Sequence, residues 1–298
     1  MSEGIQGAQN NNVSIAEMNF CEEQWISCAR QLNHWEILVD YDKDIKNHKI
    51  LLDSLWNIPD WVFLKEKVFP KAQVEDTLKF HIIKSYVALH DGNITGVTEA
   101  ENIFAPGVDL ALKHWWQLPE MSVESHVLLL QQFQQLVELQ ELARVLVEIG
   151  NGKNQHVGTT PLGGVHGCYV DLKDIFETWR LRTPNEWYNL FVWNDLLQCR
   201  NHMYNTVINS FKYFSNTNHH IPQLGYGDKA WSVNKLAHVA RKQGLYDVYV
   251  TEMNKMDGYS TMDVQASIQI FISSVVFFLF AIYFEIFWNI LLFVDQTT

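Results

Sequence analysis

The amino-acid sequence predicts an all-α chain, an α-solenoid of stacked helical hairpins, and three observations carry that prediction. Glycine (15) and proline (7) are scarce in a chain of 298 residues, which disfavours a β-sandwich built on frequent tight turns. Apolar residues recur at helical spacing along most of the chain, and 47% of residues are apolar and 13% aromatic, which is ample surface for a packed core. Short corners join one periodic stretch to the next, and hairpins of that kind bury their apolar faces only by stacking on neighbours.

The elements follow in chain order. Residues 1–16 are rich in Asn, Gln and Gly and read as a disordered lead-in, with neither the apolar core of a signal peptide nor an Arg-rich amphipathic transit helix. Residues 17–149 form a first run of helical repeats. Trp25, Ala29 and Leu32, then Trp35, Leu38 and Val39, then Ile50, Leu51, Leu55, Trp61 and Leu64 fall at helical spacing. Corners are expected at residues 28–38 and 53–64, each with an Asn-containing turn and an aromatic residue three positions ahead of a Leu. Longer helices are expected over Val74 to Leu89, over Thr98 to Trp116 with a Thr98/Glu101 capping box and an interruption at Pro106-Gly107, and over Ser122 to Ile149. The Gln131-Gln132 and Gln134-Gln135 pairs give this last helix an uncharged polar side suited to packing or to facing a partner.

Residues 150–168 hold six of the 15 glycines and Pro161, and read as a loop. A second run of repeats is expected over 169–265: a helix from Leu172 to Leu181, another opening at the start signal Thr183-Pro184-Asn185-Glu186, and a polar loop from Asn216 to Gly227. A third corner follows, with Gly244 as the left-handed cap of the helix carrying Ala237 and Ala240.

Charge and cysteine content exclude several functions. The net charge of −12 and pI near 5.4 oppose nucleic acid unless a basic patch overcomes them, and the clusters Lys65/Lys67/Lys71 and Arg241/Lys242 read as solvated helix faces, so no direct nucleic-acid partner is expected. Cys21, Cys28, Cys168 and Cys199 lack the spacing of a disulfide framework or a zinc module. Gly150-Asn151-Gly152-Lys153-Asn154 fails as a phosphate loop, because Val147 stands where the first Gly belongs and Asn154 where Ser or Thr belongs. The twelve histidines include no pair four apart on a helix, and His219-His220 has no nearby Cys. The acid pairs Asp40/Asp42 and Glu99/Glu101 read as residues at helix ends that offset the macrodipole. The expectation is therefore a non-catalytic chain with no catalytic, metal or cofactor residues and no small-molecule substrate.

Three segments carry a resemblance. Glu22 to Glu36 (EEQWISCARQLNHWE), Leu172 to Pro184 (LKDIFETWRLRTP) followed by Trp187 and Arg200-Asn201-His202-Met203-Tyr204, and Lys235 to Leu245 (KLAHVARKQGL) resemble, in order, three signatures of the FAT helical-repeat region of the PIK-related pseudokinase family. The likeness covers roughly residues 17–265. It implies TPR/HEAT-like repeats, a nuclear scaffold within histone acetyltransferase complexes of the SAGA type, and protein partners that include complex subunits and transcriptional activators. No kinase motif is present, so no catalytic residue carries over.

From about residue 266 the composition changes. Ile268 to Val294 contains one charge, Glu285, and is long enough by hydropathy to span a bilayer. Two readings stand for 266–298: a membrane tail anchor serving a tethered helical adaptor, or a gene-model artefact in which the frame runs into unspliced sequence. Glu285 and Asn289 would be costly at bilayer depth, which favours the second.

Overall fold

The computed structural model describes residues 15–45, 48–72, 76–92, 94, 96–120, 123–154, 162–211 and 220–256. Among these residues there are helices and no strands. In chain order they are α1 (Ile15–Gln31), α2 (Trp35–Ile45), α3 (His48–Asn57), the composite α4 (Trp61–Phe63, a π segment at Leu64–Val68, then Phe69–Ala72), α5 (Leu78–His90), α6 (Val97–Gln117), α7 (Val123–Asn154), α8 (Leu162–Leu181), α9 (Leu190–Phe211), α10 (His220–Lys242) and α11 (Tyr246–Met256). The apolar segment 268–294 lies outside the described residues, as does the lead-in up to residue 14; no described helix is long and apolar enough to cross a membrane.

The chain divides into two compact units, Met1–Met203 and Tyr204–Thr298. In the first, α2 packs between α1 and α3, while α5, α6 and α7 pack on one another and α8 packs on α7. In the second, α10 and α11 form a helical hairpin.

The corners at both ends of the chain share one chemistry. Asn33 has φ +57° and Gly244 φ +75°, both left-handed. Beyond Asn33, His34 N–H donates to Ala29 O at 2.9 Å, and beyond Gly244, Leu245 N–H donates to Ala240 O at 2.9 Å. This is the Schellman closure, in which one left-handed residue lets the next amide reach back five positions to a free carbonyl. Gly244 adopts this conformation without penalty, and Asn33 is the side chain that tolerates it best. The corner at 53–64 is built differently: α3 ends at Asn57, and Asp60 Oδ1 accepts from Phe63 N–H at 3.0 Å to cap α4.

Several expected boundaries move. Val74 to Leu89 becomes Leu78–His90, because Thr77 Oγ1 accepts from Phe80 N–H and fixes the start. Thr98 is inside α6, whose N-cap is Gly96, and Pro106 does not interrupt that helix. Pro106 lies on the solvent face, and Gly107 lets α5 and α7 approach so closely that an added Cβ would sit 3.1 Å from His81 and 3.2 Å from Leu136. Packing at Gly107 therefore holds a helix that proline alone would weaken. The start signal at Thr183 opens a turn rather than a helix: Asn185 Oδ1 accepts from Trp187 N–H, and α9 begins only at Leu190, where Asn189 Oδ1 accepts from Phe191 N–H.

Both expected loops shrink. Helix α7 runs on to Asn154 and α8 begins at Leu162, so only 155–161 of the span 150–168 is not described as helix, and that stretch lies outside the described residues. The span Asn216 to Gly227 is helical from His220. Pro222 is accommodated in the first turn, where its missing N–H has no helical acceptor to lose. Gly225 serves close approach instead of a turn, since a Cβ there would lie 2.8 Å from Ile208 Cγ1 and 3.4 Å from Tyr204 O.

That contact gives a test. Gly225→Ala should cost ~1–3 kcal/mol through overpacking despite the better helix propensity of alanine, and should become neutral or stabilising in an Ile208→Ala background. Denaturant unfolding of the four chains checks the cycle.

Candidate functional site

Helix α9 carries polar side chains on a face that composition would assign to the core. Leu196, Leu197, Cys199 and Met203 are buried, and Asn194, Arg200 and His202 are buried among them. Each polar group has a backbone or side-chain target on another helix.

The first set closes the end of α3. Gln198 Nε2 donates to Asn57 O at 3.2 Å, His202 Nε2 lies 2.7 Å from Trp56 O, and Asn194 Nδ2 donates to Asn57 Oδ1 at 3.0 Å. Trp56 O and Asn57 O are the last backbone carbonyls of α3, which have no acceptor role left within their own helix, while Asn194 holds the Asn57 side chain. Tyr86 Oη of α5 donates to His202 O at 3.2 Å. Around this knot the rings of Trp56, Trp61, Tyr86 and His202 pack at centroid distances of 4.4 to 6.2 Å, mostly edge-on, the geometry that aromatic quadrupoles favour.

The second set closes the end of α8. Arg200 makes a bidentate pair with Glu138 of α7, Nε to Oε2 at 2.9 Å and Nη2 to Oε1 at 2.7 Å, with both side chains wholly excluded from solvent. The same Nη2 donates to Arg182 O at 2.9 Å, and Gln134 Nε2 donates to that carbonyl at 2.7 Å and to Glu138 Oε1 at 2.8 Å. Glu141 completes the seam by accepting from Trp179 Nε1 at 2.8 Å and from Arg182 Nη1 at 2.9 Å. A third link joins α9 to α5 and α7: Asp195 pairs with Lys79 Nζ and accepts from Gln135 Nε2 at 2.7 Å.

The residues singled out for chemistry from the sequence are not brought together. Gly150 to Asn154 is the last turn of α7. Cys21 and Cys28 are exposed on α1, while burial pushes the Cys199 thiol far above its ordinary pKa, which makes it unreactive. Lys65 pairs with Asp91 at 2.6 Å, and Arg241 and Lys242 occupy the last turn of α10, where the macrodipole favours cations. Glu99 is in the first turn of α6, as a helix-end acid should be. Asp40 and Asp42 are not: they lie in the C-terminal half of α2, Asp40 exposed and Asp42 buried. A cavity of about 440 Å³ lined by Arg30, Asp53, Lys79, His114, Gln132 and Asp195 has its cations turned to its own carboxylates. Among the described residues no three His, Cys, Asp or Glu side chains cluster as a metal site would need.

The hydrogen-bonded seams tie the helices of the first unit together, and several large apolar side chains stay exposed beside them. Leu112, Trp115 and Trp116 near the end of α6 and Val123, Leu128 and Leu130 at the start of α7 are exposed, Trp116 to 84%. Leu181 and Trp187, on the turn that the Arg200 seam fixes, are 86% and 76% exposed. Surface aromatics grouped in this way mark contact surfaces. Sequence reading missed the buried seam. Its one visible signal is an Arg placed three and four residues after Leu197 and Leu196 and three and four before Met203 and Tyr204, an ionic group in the middle of an apolar stripe.

Comparison with known proteins adds a family. The model of the FAT domain matches residues 48–279. The chain is 29% identical over 267 residues to the SAGA complex/NuA4 acetyltransferase complex subunit TRA1 of Saccharomyces cerevisiae, covering 85% of this chain and 7% of the relative. It is 27% identical over 269 residues to the transformation/transcription domain-associated protein of Mus musculus, covering 86% and 10% respectively. It is 27% identical over 271 residues to the SAGA complex/NuA4 acetyltransferase complex subunit Tra1 of Schizosaccharomyces pombe, covering 85% and 7%. The chain thus spans a tenth or less of the length of these curated relatives.

Removing Arg200 alone should be expensive. Arg200→Met leaves Glu138 buried and unpaired, at a cost of about 3–5 kcal/mol, whereas Arg200→Met with Glu138→Leu should regain most of it. Urea unfolding monitored by tryptophan fluorescence distinguishes the two.

Proposed function

The chain belongs to the FAT domain family, and on that premise we propose that it is a non-catalytic helical scaffold segment of a transcription co-activator subunit that assembles histone acetyltransferase complexes in the nucleus. The observation that carries the reading is the similarity over 85% of the chain to a subunit of the SAGA and NuA4 acetyltransferase complexes. The helical repeats of 17–149 and 169–265 supply the scaffold, and their partners are protein subunits of such complexes and transcriptional activators.

The physical chemistry agrees with a role of shape. Polar groups of α9 are spent on other helices' carbonyls and carboxylates, which fixes the hairpins relative to one another within the first unit. Exposed apolar corners at α6–α7 and at the α8–α9 turn then offer rigid surface that gains free energy when a partner removes it from water. The net charge of −12 keeps nucleic acid at a distance, so contact with chromatin would run through partner subunits.

The protein, tagged and purified from its own nuclei, should bring histone acetyltransferase activity with it. Replacing Trp116 and Leu112 by Ser should lower that activity several-fold while leaving the helical circular dichroism unchanged. Recovery without acetyltransferase, or exclusion of the protein from nuclei, would contradict the proposal.

A further inference from the structure

The layer formed by α1, α2 and α3 contains a carboxyl group that no ion pair among the described residues accounts for. Asp42 of α2 is fully buried, and among the described residues neither of its carboxylate oxygens has a hydrogen-bond partner. Ser54 of α3 is close enough to favour the charged form, by more than Asp53 or Glu22 opposes it, yet its hydroxyl donates to Ile50 O at 2.9 Å. Arg30 of α1 faces the group as a cation, with Nη2 committed to Asp53 at 2.9 Å and a buried Nε that has no acceptor. Glu22 of α1 and Asp53 of α3 add negative potential. Tyr41, the neighbour on α2, is held protonated by burial and by its hydrogen bond with Glu22. An ionised carboxylate in such surroundings is strongly disfavoured unless it finds a donor. Burial, reinforced by Asp53 and Glu22 and only partly offset by Arg30 and Ser54, pushes the Asp42 carboxyl up to about 7.

We propose that Asp42 is a proton-controlled latch on the α1–α3 layer. Protonated, it rests in the interior and leaves Arg30 with Asp53 and against the Phe191 ring of α9, 5.8 Å from its centroid. When the proton leaves to solvent, the carboxylate competes for Arg30 through the free Nε–H, draws it from Asp53 and Phe191, and loosens the layer. The sign follows from linkage: a group that binds its proton more tightly when folded lends stability that is complete below its unfolded pKa of 3.8 and is lost as pH rises through about 7.

Amide hydrogen exchange of the full chain at pH 5.5 and 8.5, corrected for intrinsic exchange, tests this. In the wild type the opening of α1–α3 should rise on the order of tenfold between the two conditions. In Asp42→Asn it should stay flat, and in the exposed Asp40→Asn it should rise as in the wild type. An equal rise in Asp42→Asn, no rise in the wild type, or absent protection of this layer at both pH values would overturn the proposal. Carboxyl carbon NMR of the wild type gives an independent reading that needs no variant. The expected Asp42 midpoint is about 7, and one in the ordinary carboxylate range would also overturn the proposal.

Discussion

A helix that stops inside a packed stack leaves carbonyls with no partner in its own backbone, and the rest of the first unit is arranged around that constraint. Leaving a buried carbonyl unpaired costs about 1–3 kcal/mol, so each buried corner needs a donor delivered from elsewhere. Helix α9 delivers them. Gln198 and His202 reach the last carbonyls of α3, and Arg200 reaches the carbonyl just after α8. One helix therefore closes two others that are separated by more than a hundred residues of sequence.

The buried Arg200–Glu138 pair follows from the same requirement. Two charges taken out of water gain little net stability by meeting. Here, though, the guanidinium also serves the Arg182 carbonyl, and Gln134 serves both that carbonyl and Glu138, so the desolvated groups share their partners in one network. Such a network admits few alternative packings, because a shifted helix would strand a charge. That property suits the proposed scaffold role, in which Leu181, Trp187 and the exposed ends of α6 and α7 would be held in fixed positions.

The sequence made the helical class, the Gly244 cap and the corner near Asn33 legible because these rest on local signals: period, a Gly after a helix, an Asn-containing turn, and sparse proline. Boundaries that depend on tertiary contacts were not legible. Pro106-Gly107 and Pro222 to Gly227 read as breaks on propensity, yet Gly107 and Gly225 sit where a neighbouring helix leaves no room for a Cβ without a shift. Thr183 to Glu186 matched a helix start, but Asn185 and Asn189 spend their side chains on turn amides and delay the helix to Leu190. The family was legible through three ordered segments, whereas the buried seam was not, because the partners of Arg200 stand 62 and 18 residues away. Asp42 reads from the sequence as a helix-end acid, and its place in the C-terminal half of α2, buried against α1 and α3, depends on where the helices begin and pack.

The closure of helix ends by α9 is the claim on which the account stands, and hydrogen exchange of α3 tests it most directly. In a chain carrying Gln198→Leu and His202→Phe, which keep bulk and remove the donors, the amides of Asp53 to Asn57 should lose protection while those of α6 and α7 keep theirs. Unchanged protection at the end of α3, or a uniform loss across the first unit, would contradict it.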